Sequence, residues 1–139
     1  MRKKECVSNY WLFPCSPKVF HVHECFAENE IVDWKQGKYN VNVGDFVYIY
    51  CSRGEQKIRY FCRVIKVNIP AEEANLNSKY WGESHIVIDK YCRLQLLASL
   101  NIDDLSLDSL YKNGLTARIQ GKQRVKPQLL EYIESVFNK

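Results

Sequence analysis

Three stretches of this 139-residue chain bring chemically useful side chains close together. The first, His21-Val22-His23-Glu24-Cys25, holds donors of metal-ligand type. On a strand the two histidines and the cysteine would share a face; on a helix His21 and Cys25 share one and His23 points away. No second cluster of ligands accompanies them, and His85 is the one further histidine. Local packing is the simpler account, and neither a metal nor another cofactor is expected. The second pairs Trp34 with the loop Tyr50-Cys51-Ser52-Arg53-Gly54. A Trp at a cavity mouth, a strand-end Tyr and small polar residues can sandwich a planar ring and hydrogen-bond its edge. The plain alternative is a core Trp beside an ordinary hairpin loop, and composition favours it. The third, "ARIQGKQRVKP" at 117–127, sets Arg118, Lys122, Arg124 and Lys126 around Gln120-Gly121 before a helix start. Cations, a glycine that admits close approach and helix-end N–H groups suit a phosphate, as they also suit a solvated basic loop.

Catalytic patterns are scarce. Cys51-Ser52 with a histidine would make a nucleophile–base pair. Yet the chain has no GxSxG, no Walker loop and no GxGxxG. Glu72-Glu73 and Asp103-Asp104 read as cap or surface residues. A binding module is therefore expected rather than an enzyme, with a small hydrolase as a third reading.

The elements that must position these groups follow from pattern. The length suits one domain over 1–139, and nine Tyr, six Phe and three Trp supply much of its apolar area. The net charge of +4 permits a polyanionic partner without demanding one. Six cysteines without CxxC spacing argue against structural zinc. No apolar run follows "MRKKE" and none reaches membrane-spanning length, so a cytoplasmic protein with reduced, mostly buried thiols is expected.

"NYWLF" (9–13) reads as a buried strand ended by Pro14 and Pro17. Ser16-Pro17 is placed to cap a short helix within "KVFHVHECFAEN". Val43-Gly44-Asp45 turns into a strand over Phe46–Tyr50, buried on both faces. "KIRYFCRVIKV" (57–67) alternates and should return as an antiparallel hairpin around 51–56. Residues 85–97 supply one or two more strands. Asp103 or Asp104 caps a short helix ended by Asn113-Gly114. Leu129, Leu130, Ile133, Val136 and Phe137 form one face of a closing helix with Pro127 at its first position. A small, strongly bent sheet or partial barrel buries such strands best.

The ordered set "YWLFPCSPKVF" (10–20), "IVDWKQGKYNVNVGDFVYIYCSRG" (31–54) and "CRVIKV" (62–67) resembles the EVE domain family of the PUA-like group, relatives of the YTH and ASCH domains. Tyr80-Trp81 and the "RIQG" at 118–121, followed by a basic loop and helix, extend the likeness over nearly the whole chain. The sequence departs from the family pattern at Arg53, set between small residues, and at Cys15-Ser16-Pro17.

The resemblance implies an α+β, PUA-like fold: a strongly bent mixed or antiparallel sheet forming a pseudo-barrel, with short peripheral helices. It implies a pocket for an extruded base, built from Trp34, Tyr50, Cys51, Ser52, Cys15, Ser16 and Gln120. Arg118, Gly121, Lys122, Arg124, Lys126 and Arg53 would hold flanking phosphates. The implied function is reading a flipped, modified nucleobase in DNA within a modification-dependent restriction or defence system. A nuclease or motor domain, fused or in complex, would then be the partner. A reader of modified or structured RNA is the alternative.

Overall fold

The computed structural model describes residues 8–74, 80 and 90–138. Cys6, Trp81 and the 85–89 part of the expected strand lie outside the described residues. In chain order the elements are β1 (Tyr10–Cys15), α1 (Val22–Glu28), β2 (Ile31–Lys35), β3 (Phe46–Cys51), β4 (Lys57–Pro70), β5 (Lys90–Ser99), α2 (Leu107–Lys112), β6 (Gln123–Arg124) and α3 (Pro127–Phe137). The strands form one mixed six-stranded sheet, ordered β2-β5-β4-β3-β1-β6, that does not close. β1 and β3 run parallel, and the other pairings are antiparallel. Among the described residues no helix is long and apolar enough to cross a membrane.

Strand periodicity divides the apolar residues between two cores, one on each face of the sheet. Trp11, Phe13 and Cys15 of β1 join Val47, Ile49 and Cys51 of β3 in the first, with Trp34 and Val22, Cys25 and Phe26 of α1. Leu12, Tyr48 and Tyr50 point the other way and meet Leu110 of α2 and Leu129, Ile133 and Val136 of α3. Each of those α3 side chains contributes about 1.5–3 kcal/mol by leaving water. Pro127 opens α3 as expected. Gly114, at φ +119°, lies so close that a Cβ there would meet the Leu129 amide nitrogen at 2.9 Å.

The hairpin of β3 and β4 forms as its alternation predicts. Ile58, Tyr60, Cys62 and Val64 are buried, and the residues between them are less so. Opposite Ile49 and Tyr50 the register skips Arg59, an extra residue that bends β4 just after the loop.

Three local expectations are corrected. Pro14 lies inside β1 rather than ending it. β6 pairs only with Trp11 and Leu12, so one edge of β1 is open beyond them and the missing N–H goes unneeded. Ser16-Pro17 does not cap a helix. Its turn is closed by Val19 and Phe20 amides donating to the Ser16 carbonyl at 2.9 and 3.0 Å, and α1 begins only at Val22. The cap of α2 is Ser106, whose Oγ accepts from the Ser109 amide at 3.3 Å, because Asp103–Leu105 forms its own short 3-10 turn.

Candidate nucleic-acid interface

The Gly-Asp turn anchors the candidate site. Asp45, almost completely buried, accepts from Trp11 Nε1, from the Asn9 amide and from the Asn42 amide, each at 3.0 Å. Three donors satisfy a carboxylate that burial would otherwise make costly. They also fix where β1 and β3 start, and so where Cys15 and Cys51 stand as register partners at the far ends. Ser52 closes that end: its amide and its hydroxyl both donate to the Cys15 carbonyl, at 2.9 and 3.2 Å.

The loop after β3 then turns through positive φ at Arg53 (58°), Gly54 (84°) and Gln56 (52°). Arg53 and Gln56 adopt a conformation that costs a non-glycine residue about 1–2 kcal/mol. Between them Glu55 projects towards α1. His23 on α1 meets Tyr60 Oη through Nδ1 at 2.5 Å and Glu55 Oε2 through Nε2. Arg59 donates to the other Glu55 oxygen and, through Nε, to the Leu100 carbonyl at 2.7 Å. Partial burial works to raise the Glu55 pKa, but the His23 and Arg59 hydrogen bonds outweigh it and hold the carboxyl below its usual value. The buried Tyr60 hydroxyl is pushed up to about 12, chiefly by desolvation.

The residues expected to line a base pocket fall into three groups. Trp34, Cys15 and Cys51 share the first core, where Trp34 is 8% exposed and packs edge-on against Phe20 at 5.3 Å. Ser16 and Ser52 lie in the turns that follow Cys15 and Cys51. Tyr50 is corrected: strand alternation turns its ring to the opposite face, away from Trp34. Gln120 is exposed on the loop before β6. Cys51 is fully buried, and desolvation pushes its thiol up to about 12, the wrong direction for a nucleophile at neutral pH. His21, His23 and Cys25 do not converge. Cys25 is buried in the core, and His23 turns to Tyr60 and Glu55.

The residues expected to grip phosphate also divide. Arg53, Arg118, Arg124 and Lys126 are exposed. Arg124 lies over the Trp11 ring at 5.0 Å, and Lys126 reaches Thr116 Oγ1 at 3.4 Å. Lys122 instead folds inward over Phe13 and Tyr39, 5.2 and 5.3 Å from the ring centres, and burial lowers its pKa. Gly121 permits that path, since a Cβ there would meet Tyr39 Oη at 3.1 Å. A cleft of about 30 Å³ lies between Gly114–Ala117 and Gln123–Lys126 beside Leu129 of α3. It has room for a water or two.

Sequence reasoning missed Glu55, Arg59 and Tyr60. Glu55 and Arg59 are four apart, but on a strand-and-loop segment that spacing carries no facing rule, and nothing local announces that α1 will set His23 against them.

No family model matches the chain, and no curated protein matches it. Solved structures do. A hypothetical protein from Leishmania major has TM-score 0.64 and 21% identity over 95% of this chain and 96% of that one. A mutant of the ASCH protein of Zymomonas mobilis has TM-score 0.63 and 13% identity over 92% and 96%. Human THYN1, in complex with 5-methylcytosine containing DNA, has TM-score 0.64 and 16% identity over 95% and 99%. With its open mixed sheet and short helices, the chain carries the PUA-like fold of the ASCH and THYN1 structures, as its resemblance to the EVE group implies.

Proposed function

We propose that this chain is a DNA-binding module that reads a modified nucleobase swung out of the duplex. The observation that carries this reading is the likeness, over 95% of the chain, to THYN1 solved with DNA containing 5-methylcytosine. The cations around β6 support it, because exposed Arg118, Arg124 and Lys126 would neutralise phosphates without regard to sequence. The cleft beside α3 would take a phosphate oxygen in place of water.

The base would enter beside Ser16 and Ser52, between the ends of β1 and β3, with Trp34 and the two strand-end cysteines at its floor. Extrusion costs roughly a few kcal/mol of lost stacking. An aromatic partner returns about 1–3 kcal/mol. Because Trp34 is covered, entry requires the loop 52–56 or the turn 16–20 to yield. Any cleavage would come from a nuclease or motor domain, fused or in complex, within a modification-dependent restriction system.

The test is a titration of labelled duplexes carrying methylated or hydroxymethylated cytosine against unmodified ones. An RNA with the same modified base serves as competitor. One modified DNA duplex should bind at least tenfold more tightly than its unmodified control. Equal affinity for all of them removes modification reading, and preferential competition by RNA moves the function to RNA. A fluorescent adenine analogue next to the modified base should brighten on binding if the base leaves the stack.

A further inference from the structure

We propose that His23, Cys51 and Glu55 form a binding site for a zinc-class divalent cation. The imidazole nitrogen, the thiol sulfur and the carboxylate oxygen lie within 4.8 Å of one another, although they come from α1, the end of β3 and the loop after it. Tetrahedral zinc with these donors needs ligand separations of roughly 3.4–3.6 Å. The His23 Nε2–Glu55 Oε2 pair, now in direct hydrogen-bond contact, must therefore open by about an ångström, and the Cys51 sulfur must close on it by about an ångström, to reach bonding distance. The mixture of nitrogen, sulfur and oxygen suits zinc, and it excludes magnesium and calcium, which take oxygen donors.

The surroundings also supply an outer shell for a metal site. His23 Nε2 and Glu55 Oε2 face each other in a hydrogen bond that a bound cation would replace, while Tyr60 Oη holds Nδ1 and Arg59 holds Oε1. Each ligand's second polar atom is thus held by a partner that fixes its orientation, as outer-shell groups do. Arg59 is itself fixed to the Leu100 carbonyl. Cys51 is fully buried, and among the described residues no hydrogen bond satisfies its thiol. His23 and Glu55 keep 33% and 28% of their side-chain surfaces exposed, which leaves an entry path and a fourth position for water.

On binding, the Cys51 thiol loses its proton to solvent and sulfur becomes the metal ligand. The Nε2 lone pair must face the cation, so the His23 proton resides on Nδ1 and is donated to Tyr60 Oη. Nothing is oxidised or reduced.

The test uses the whole chain after chelator dialysis, with cobalt(II) as optical probe and zinc in competition with a chromophoric chelator. One equivalent of cobalt should bind, with a thiolate-to-cobalt absorption band and proton release that a weakly buffered indicator registers. Cys51→Ser should erase the band, and Cys25→Ser should leave it. Tyr60→Phe should weaken zinc binding about 10-fold or more, as loss of an outer-shell partner does. Should Cys51→Ser fail to fold, Glu55→Gln, a substitution in a half-exposed loop, should by itself weaken binding by more than Tyr60→Phe does. Absence of stoichiometric cobalt binding, or zinc affinity unchanged in both His23→Ala and Glu55→Gln, overturns the proposal. Metal binding is read without DNA, so its failure is distinguishable from failure of base reading, although Cys51 and the loop carrying Glu55 also border the proposed base site.

Discussion

The two polar corners of the sheet treat charge differently. Where β3 turns into β4, Glu55 is shared by Arg59 and His23, and Tyr60 holds the far side of the imidazole. Around β6, no carboxylate among the described residues pairs with Arg118, Lys122, Arg124 or Lys126. Two of these cations rest on aromatic rings instead. A closed network with fixed partners gives geometry, and geometry discriminates between ligands. Unpaired cations give a field, which attracts any polyanion and falls with salt. The first corner fixes its charged groups in place, and the second leaves its cations without carboxylate partners among the described residues.

The widest gap between the corners should appear in stability. Trp34→Ala, which opens the core beneath the first corner, should cost about 3–5 kcal/mol in urea unfolding. Arg124→Ala at the second corner should stay within about 0.5 kcal/mol. Equal losses would mean that the Trp34 side is no better packed than the surface.

Glu55→Gln comes next, at about 1–3 kcal/mol near neutral pH, because two hydrogen bonds to a charged acceptor are weakened. Its pH dependence carries a sign. Burial alone would raise the carboxyl, but the bonds from His23 and Arg59 dominate and lower it in the fold. The stability it contributes is therefore complete above the ordinary glutamate value and is lost as pH falls through the lower folded value. Urea midpoints measured between neutral and acid pH should converge for wild type and Glu55→Gln. Parallel curves would show that the network does not hold the charge.

At the second corner, Arg124→Ala and Lys126→Ala should each flatten the logarithmic salt dependence of DNA binding by about 1 and weaken modified and unmodified duplexes alike. A loss confined to the modified duplex would move these residues from attraction to reading.

Lys122→Met should have the smallest effect: neutral, or stabilising by up to about 1 kcal/mol, since the stem still packs on Phe13 and Tyr39 while a poorly hydrated charge is removed. Burial lowers the folded pKa of Lys122. Wild-type stability should accordingly rise as pH climbs through that value towards the ordinary lysine range, and Lys122→Met should lack this rise. If Lys122→Met instead reduced DNA affinity like Arg124→Ala, the inward lysine would belong with the phosphate-gripping residues after all.

Much of the fold was legible because it rests on periodicity and turn chemistry. Alternation over 57–67 put Tyr60 and Cys62 on one side of the strand, which the fold buries, and the apolar spacing after Pro127 marked the buried face of α3. The errors sit where a tertiary neighbour decides. Pro14 is tolerated in β1 because β6 is only two residues long. Proximity along the loop groups Tyr50 with Trp34, and strand parity separates them.

Taken alone, the sequence determined β1, β3, β4, part of β5 and the closing helix, since backbone period and side-chain hydrophobicity are local properties, but it did not announce β2 or β6 as strands. It also showed that a run of cations precedes the last helix. Only the tertiary structure decided that Lys122 turns inward, and that His23 leaves Cys25 to meet Glu55 and Cys51. Those outcomes depend on how α1 and the loop after β3 pack across the end of a bent sheet, and no spacing along one strand or helix encodes that meeting.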